Sequence, residues 1–140
     1  NKTMKDITDR KDIDDLVEAF YIKSLNDRKI GYIFTEVVEL DLEKHLPIIA
    51  DFWEMIIFRT VNFHEKYGRS PIMKHILLNE KENLKIEHFR RWLNLFYETV
   101  DEKFSGENAE LAKARALSIG EMMSAKFNPE KNEVFQVVQG

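Results

Sequence analysis

The chain has no cysteine. Disulfides, thiolate metal sites and cofactors tethered through sulfur are therefore excluded. Glycine and proline are scarce, 5 and 3 in 140 residues, so little interrupts long helices. Neither sign of charge dominates: 21 Lys and Arg face 25 Asp and Glu, a net −4, with no basic stripe, which argues against nucleic acid as a partner. Long hydrophobic runs are also missing. The most apolar stretch, from Ile48 to Phe58, is broken by Asp51 and Glu54 and is too short and too charged to span a membrane. The first residues, Asn1 to Asp15, are charged and carry no apolar h-region, so no secretory signal is visible and a cytoplasmic location is the expectation. Glycine-rich phosphate loops and nucleophile-elbow serines are absent. The residues three before the four histidines are Leu42, Val61, Ile72 and Lys85, so the Glu-x-x-His motif of di-iron bundles is missing as well.

What the chain does have is helical spacing. Ile13, Leu16, Val17, Phe20 and Tyr21 recur on one face after an Asp-rich start, the pattern of a first helix ending at Asn26-Asp27. A corner follows at Ile30-Gly31-Tyr32-Ile33-Phe34. A second helix runs from about Leu42 to Arg59, with Leu42, His45, Leu46, Ile49, Phe52, Trp53, Ile56 and Ile57 as its stripe; Pro47 in its second turn predicts an irregular start. Asn62 to Ser70 reads as a loop, Pro71 opens a short helix bearing His75, and Asn79 to Asn83 is a second loop. The third long helix spans about Lys85 to Phe104, with Phe89, Trp92, Leu93, Phe96 and Val100 inward. The fourth spans about Asn108 to Phe127, with Leu111, Ala112, Ala116, Ile119 and Met123 inward. No strand period appears. The expectation is an all-α domain over residues 9–127, preceded by an extension over 1–8 and followed by a tail over 128–140.

Two histidines sit on apolar stripes: His45 before Leu46-Pro47-Ile48-Ile49, and His75 within Ile72-Met73-Lys74-His75-Ile76-Leu77-Leu78. A buried imidazole is costly without partners for its ring nitrogens. The plain account of His75 is a core histidine donating to a carbonyl. Its place on a short helix between loops suits an axial ligand to a haem, the sixth iron position being left for a gas. Tyr21, Trp92 and His45 lie on three different helices and each carries a donor; each could satisfy a backbone carbonyl, or all three could converge on a diatomic ligand. His64 and His88 have polar neighbours and read as solvated.

Phe20-Tyr21, the corner at 30–34, His45 followed by Phe52-Trp53, Tyr67-Gly68-Arg69-Ser70-Pro71 with His75, and Trp92-Leu93-Asn94-Leu95-Phe96 together resemble the third group of truncated haemoglobins, from about Asp9 to Phe127. The resemblance implies a globin-like two-over-two helical sandwich enclosing haem b, with His75 as the iron ligand. It implies Phe34 and Phe52 as aromatic contacts of the porphyrin, Tyr21 and Trp92 as distal donors, and His45 as gate or further donor. Arg69 and Lys74 are candidates for the haem propionates, with surface solvation the competing account. Implied with them are reversible binding of O2, NO or CO, NO dioxygenation or peroxide chemistry, and a reductase to supply electrons. A haem-free helical sensor or interaction module is the alternative, and its first mark is a purified protein without Soret absorption.

Overall fold

The first helix begins where Asp9, extended in its backbone, accepts the backbone N–H of Asp12 at 2.9 Å, satisfying one of the donors every helix start leaves over. The computed structural model describes residues 4–33, 42–59 and 84–127. Among them are four helices and no strand: α1 (Arg10–Leu25), α2 (Leu42–Phe58), α3 (Ile86–Lys103) and α4 (Glu107–Phe127). These are the four long helices the periodicity predicts. α2 runs through Pro47 without a break, although proline supplies no N–H there. The short helix expected around His75, the flanking loops, Phe34 and the tail lie outside the described residues.

α1 packs on α2 and α3, and α4 packs on α3 and α2. Two helix pairs thus lie across one another, two over two. Each helix buries part or all of the stripe read from its sequence: Ile13, Leu16, Val17, Phe20 and Tyr21 from α1; Ile49, Trp53 and Ile57 from α2; Phe89, Leu93, Phe96 and Val100 from α3; Ala112, Ala116 and Met123 from α4, while His45, Leu46, Phe52, Ile56, Trp92, Leu111 and Ile119 are half-buried. Ala109, Ala112 and Ala116 are small and fully buried, so the backbones of α3 and α4 can approach closely. At the centre the fully buried Phe96 ring stacks on Trp53, centroids 4.9 Å apart and planes 17° apart, and meets Phe20 edge-on at 5.2 Å. Removing such a ring costs about 3–5 kcal/mol.

Polar groups fix the ends of these elements. Asp27, just past α1, accepts the backbone N–H groups of Lys29 and Ile30 at 3.0 and 3.1 Å and the Arg91 guanidinium at 2.6 and 2.8 Å. The corner is thereby tied to α3. Gly31 completes it, because a Cβ there would fall 2.6 Å from the Leu25 carbonyl oxygen. Arg10 in the first turn of α1 reaches α2, donating to Asp51 at 2.6 Å and Glu54 at 2.9 Å. α2 ends on Arg59, whose φ of 57° is left-handed and whose N–H closes on the Met55 carbonyl at 2.9 Å. Glycine is the usual occupant of that position, and an arginine there costs about 1 kcal/mol.

The start of α4 is capped from far away in sequence. Asp6 accepts the backbone N–H groups of Asn108 and Ala109, each at 2.9 Å, and of Ile7 at 2.8 Å. The Asn108 side chain returns a bond to the Ile7 carbonyl at 2.7 Å, and Ser105 N–H donates to the Lys5 carbonyl at 3.0 Å. Gly106 holds φ at 142°, and any Cβ there would strike the Asp6 carboxyl. Burial alone raises the Asp6 pKa, but the three N–H donors and the Lys5 charge more than offset it and leave it below the ordinary value.

A carboxylate whose folded pKa is depressed stabilises the fold above its unfolded pKa and loses that contribution as pH falls through the folded one. Asp6→Ala is therefore expected to cost about 1–2 kcal/mol at neutral pH, the size of a lost helix cap. The difference from wild type should shrink in acid. Urea midpoints measured at neutrality and across the carboxylate range check this; a pH-independent gap would mean that Asp6 acts by shape alone.

Candidate functional site

Consecutive residues on a helix point about 100° apart. Phe20 and Tyr21 therefore serve different neighbours of α1. Phe20 faces α3, edge-on to Trp92 at 5.9 Å and to Phe96 at 5.2 Å. Tyr21 faces α2, edge-on to His45 at 5.7 Å with planes 83° apart. The two rings touch each other at 5.4 Å. Of the three donors expected to converge, Tyr21 and His45 are thus direct neighbours, and Trp92 joins them across the Phe20 ring.

Tyr21 is 5% exposed, whereas His45 and Trp92 are half-buried. Burial pushes the Tyr21 phenol up, past the range in which an ordinary tyrosine ionises. Like any phenol at physiological pH it carries its proton and can donate; burial extends that to alkaline pH. Trp92 lies nearly parallel to Phe96, centroids 6.2 Å apart and planes 15° apart. Trp92, Phe96 and Trp53 thus form a continuous stack from α3 to α2 that fixes the indole plane. Phe52 lies edge-on to Trp53 at 5.6 Å and lines a groove between α2 and α4 together with Ile56, Ile119 and Met122. His75, Phe34, Arg69 and Lys74 lie outside the described residues.

His88, expected to be solvated, has a structural task. Its Nδ1 accepts the Lys85 backbone N–H at 2.9 Å, closing the start of α3, and its ring lies 6.4 Å from that of Tyr32. The only signal in the sequence is a side-chain acceptor three residues into a helix. Among the described residues no three His, Asp or Glu side chains gather where they could hold a metal ion, and no helix is long and apolar enough to cross a membrane.

No family model and no curated protein matches the sequence. A solved structure does match: a group III truncated haemoglobin from Campylobacter jejuni, with a TM-score of 0.77 and 22% identical residues, over 94% of this chain and 100% of the other. The fold is that of a truncated globin. Within this fold the described residues bring together a buried phenol with an imidazole against its edge, and an indole oriented by stacking stands beside the Phe20 ring.

If burial governs the phenol, Tyr21 stays protonated while the fold is intact. Alkaline titration followed by ultraviolet absorbance should then give the same count of ionising tyrosines below the unfolding transition in wild type and in Tyr21→Phe. One tyrosine fewer in the variant would show that water reaches the phenol.

Proposed function

We propose that this chain is a haem-binding truncated haemoglobin of the third group that reversibly binds O2 and other diatomic ligands such as NO and CO. The observation that carries the reading is the buried, protonated Tyr21 phenol set against His45 in a truncated-globin fold. Haem b, when bound, would supply an iron with one coordination position open to a small ligand. His75 would hold the iron, Phe34 and Phe52 would pack on the porphyrin, and Arg69 and Lys74 would pair with its propionates.

The residues of the ligand side have separate tasks. Tyr21 O–H donates to the ligand from a buried position beside His45. Trp92 N–H is a second donor, oriented by its stack on Phe96. His45, half-buried beside Tyr21, stands where a ligand would pass between solvent and the phenol. The apolar rings of Phe20, Phe96 and Trp53 exclude water from behind the donors, which strengthens each bond. Two donors slow the escape of a bound ligand, a property better matched to chemistry or sensing than to oxygen delivery. NO dioxygenation or peroxide reduction would fit such a pocket, with electrons drawn from a reductase partner.

Reconstitution with haemin should give a Soret band and a ferrous-CO spectrum; a colourless protein after haemin addition overturns the proposal. His75→Ala should lose most of the bound haem, and full retention would assign the iron to another ligand. Loss of one hydrogen bond to a charged acceptor, about 1.5–3 kcal/mol, should make O2 dissociate roughly 10- to 100-fold faster from Tyr21→Phe. Stopped-flow displacement of O2 by CO measures that rate, and an unchanged value removes Tyr21 from the ligand.

A further inference from the structure

The groove between α2 and α4 is a feature that ligand binding beside Tyr21 does not use. It encloses about 380 Å³, within the range of small-molecule sites. Phe52, Ile56, Ile119 and Met122 give it an apolar lining, and Arg59 and Arg115 bring two guanidinium groups to it. The two helices contribute by the same spacing, Phe52-Ile56-Arg59 on α2 and Arg115-Ile119-Met122 on α4. Met122 is 47% exposed, one of few large apolar side chains left open to water.

Several cations of the helices are matched to acids: Arg10 to Asp51 and Glu54, Arg91 to Asp27, and Lys113, two positions before Arg115, to Asp101 and Glu110. Arg59 and Arg115 have no side-chain hydrogen bond or ion pair among the described residues. Arg59 moreover occupies a left-handed position, φ 57°, where glycine would be unstrained. Two unmatched guanidiniums beside an apolar trough are complementary to a planar anion on a hydrocarbon chain. The fork of an arginine fits a carboxylate through paired N–H donors, and the trough takes up methylene groups.

We propose that this groove binds a medium-chain fatty acid, its carboxylate held by Arg59 and Arg115 and its chain laid along Phe52, Ile56, Ile119 and Met122.

Calorimetric titration of the full chain with sodium decanoate tests the proposal. Binding should be saturable, with one decanoate per chain and a Kd below about 1 mM. Decanol, which has the chain without the charge, should bind at least about tenfold more weakly, the loss of a charge-assisted contact. Arg59→Glu combined with Arg115→Glu should weaken decanoate by about tenfold or more, and Ile119→Trp, which fills the trough, should do the same. Arg59→Gly separates binding from folding, because it removes one guanidinium while suiting the left-handed backbone: its urea midpoint should equal or exceed wild type while decanoate binds several-fold more weakly. Decanol binding as tightly as decanoate, or unchanged decanoate affinity in the double charge reversal or in Ile119→Trp, overturns the proposal, as does a titration that never saturates.

Discussion

The burial of Phe20 and Tyr21 where α1 is pressed between α2 and α3 is the constraint on which the rest depends. A helix turns about 100° per residue, so two adjacent aromatics cannot face one neighbour, and here each is given its own. Phe20 becomes the edge against which Trp92 and Phe96 are set, and Tyr21 the edge against which His45 is set. Rings meeting edge to face gain about 0.5–1.5 kcal/mol each beyond their buried area. The same contacts that hold three helices together thus set the Tyr21 phenol against the His45 imidazole and the Trp92 indole against the Phe20 ring.

The charged groups act at the periphery of this core, where each holds together elements that are distant in the chain. Arg10 ties the first turn of α1 to Asp51 and Glu54 of α2; Asp27 ties the corner after α1 to Arg91 of α3; Asp6 ties the residues before α1 to the start of α4. Asp27 shows how such a clamp is held. Burial raises its pKa, but the Arg91 guanidinium and two backbone N–H donors more than reverse this and keep it ionised. Removing the arginine would leave a carboxylate only 5% exposed without its charge partner, which is far more costly than the pair is favourable. These clamps fix how the helices meet, and the apolar rings supply the attraction.

The helices were legible because their information is local. The spacing of Ile13, Leu16, Val17, Phe20 and Tyr21, or of Phe89, Leu93, Phe96 and Val100, specifies both a helix and its buried face. Tyr21, His45 and Trp92 could be recognised as inward donors for the same reason. Their mutual arrangement could not, because periodicity says which way a side chain points and nothing about which helix it meets; only the structure puts the Phe20 ring between Trp92 and Tyr21. The Asp6 cap and the Asp27–Arg91 clamp were invisible in the sequence, since a carboxylate reads as surface until a partner 64 or 102 residues away is found beside it. His88 reads as solvated until its ring is seen to close the start of α3.

A fold shared over 94% of this chain at 22% identity also shows what each kind of residue contributes. A core accepts exchange among apolar side chains provided volume and pattern persist, so an architecture survives when most positions have changed. A ligand site tolerates no such exchange, since a phenylalanine in place of Tyr21 would fill nearly the same space and donate nothing. Likeness of fold therefore says where a pocket can be built, and the side chains at that place decide what it can hold. In this chain the helix contacts that close the core also set the buried Tyr21 phenol against His45.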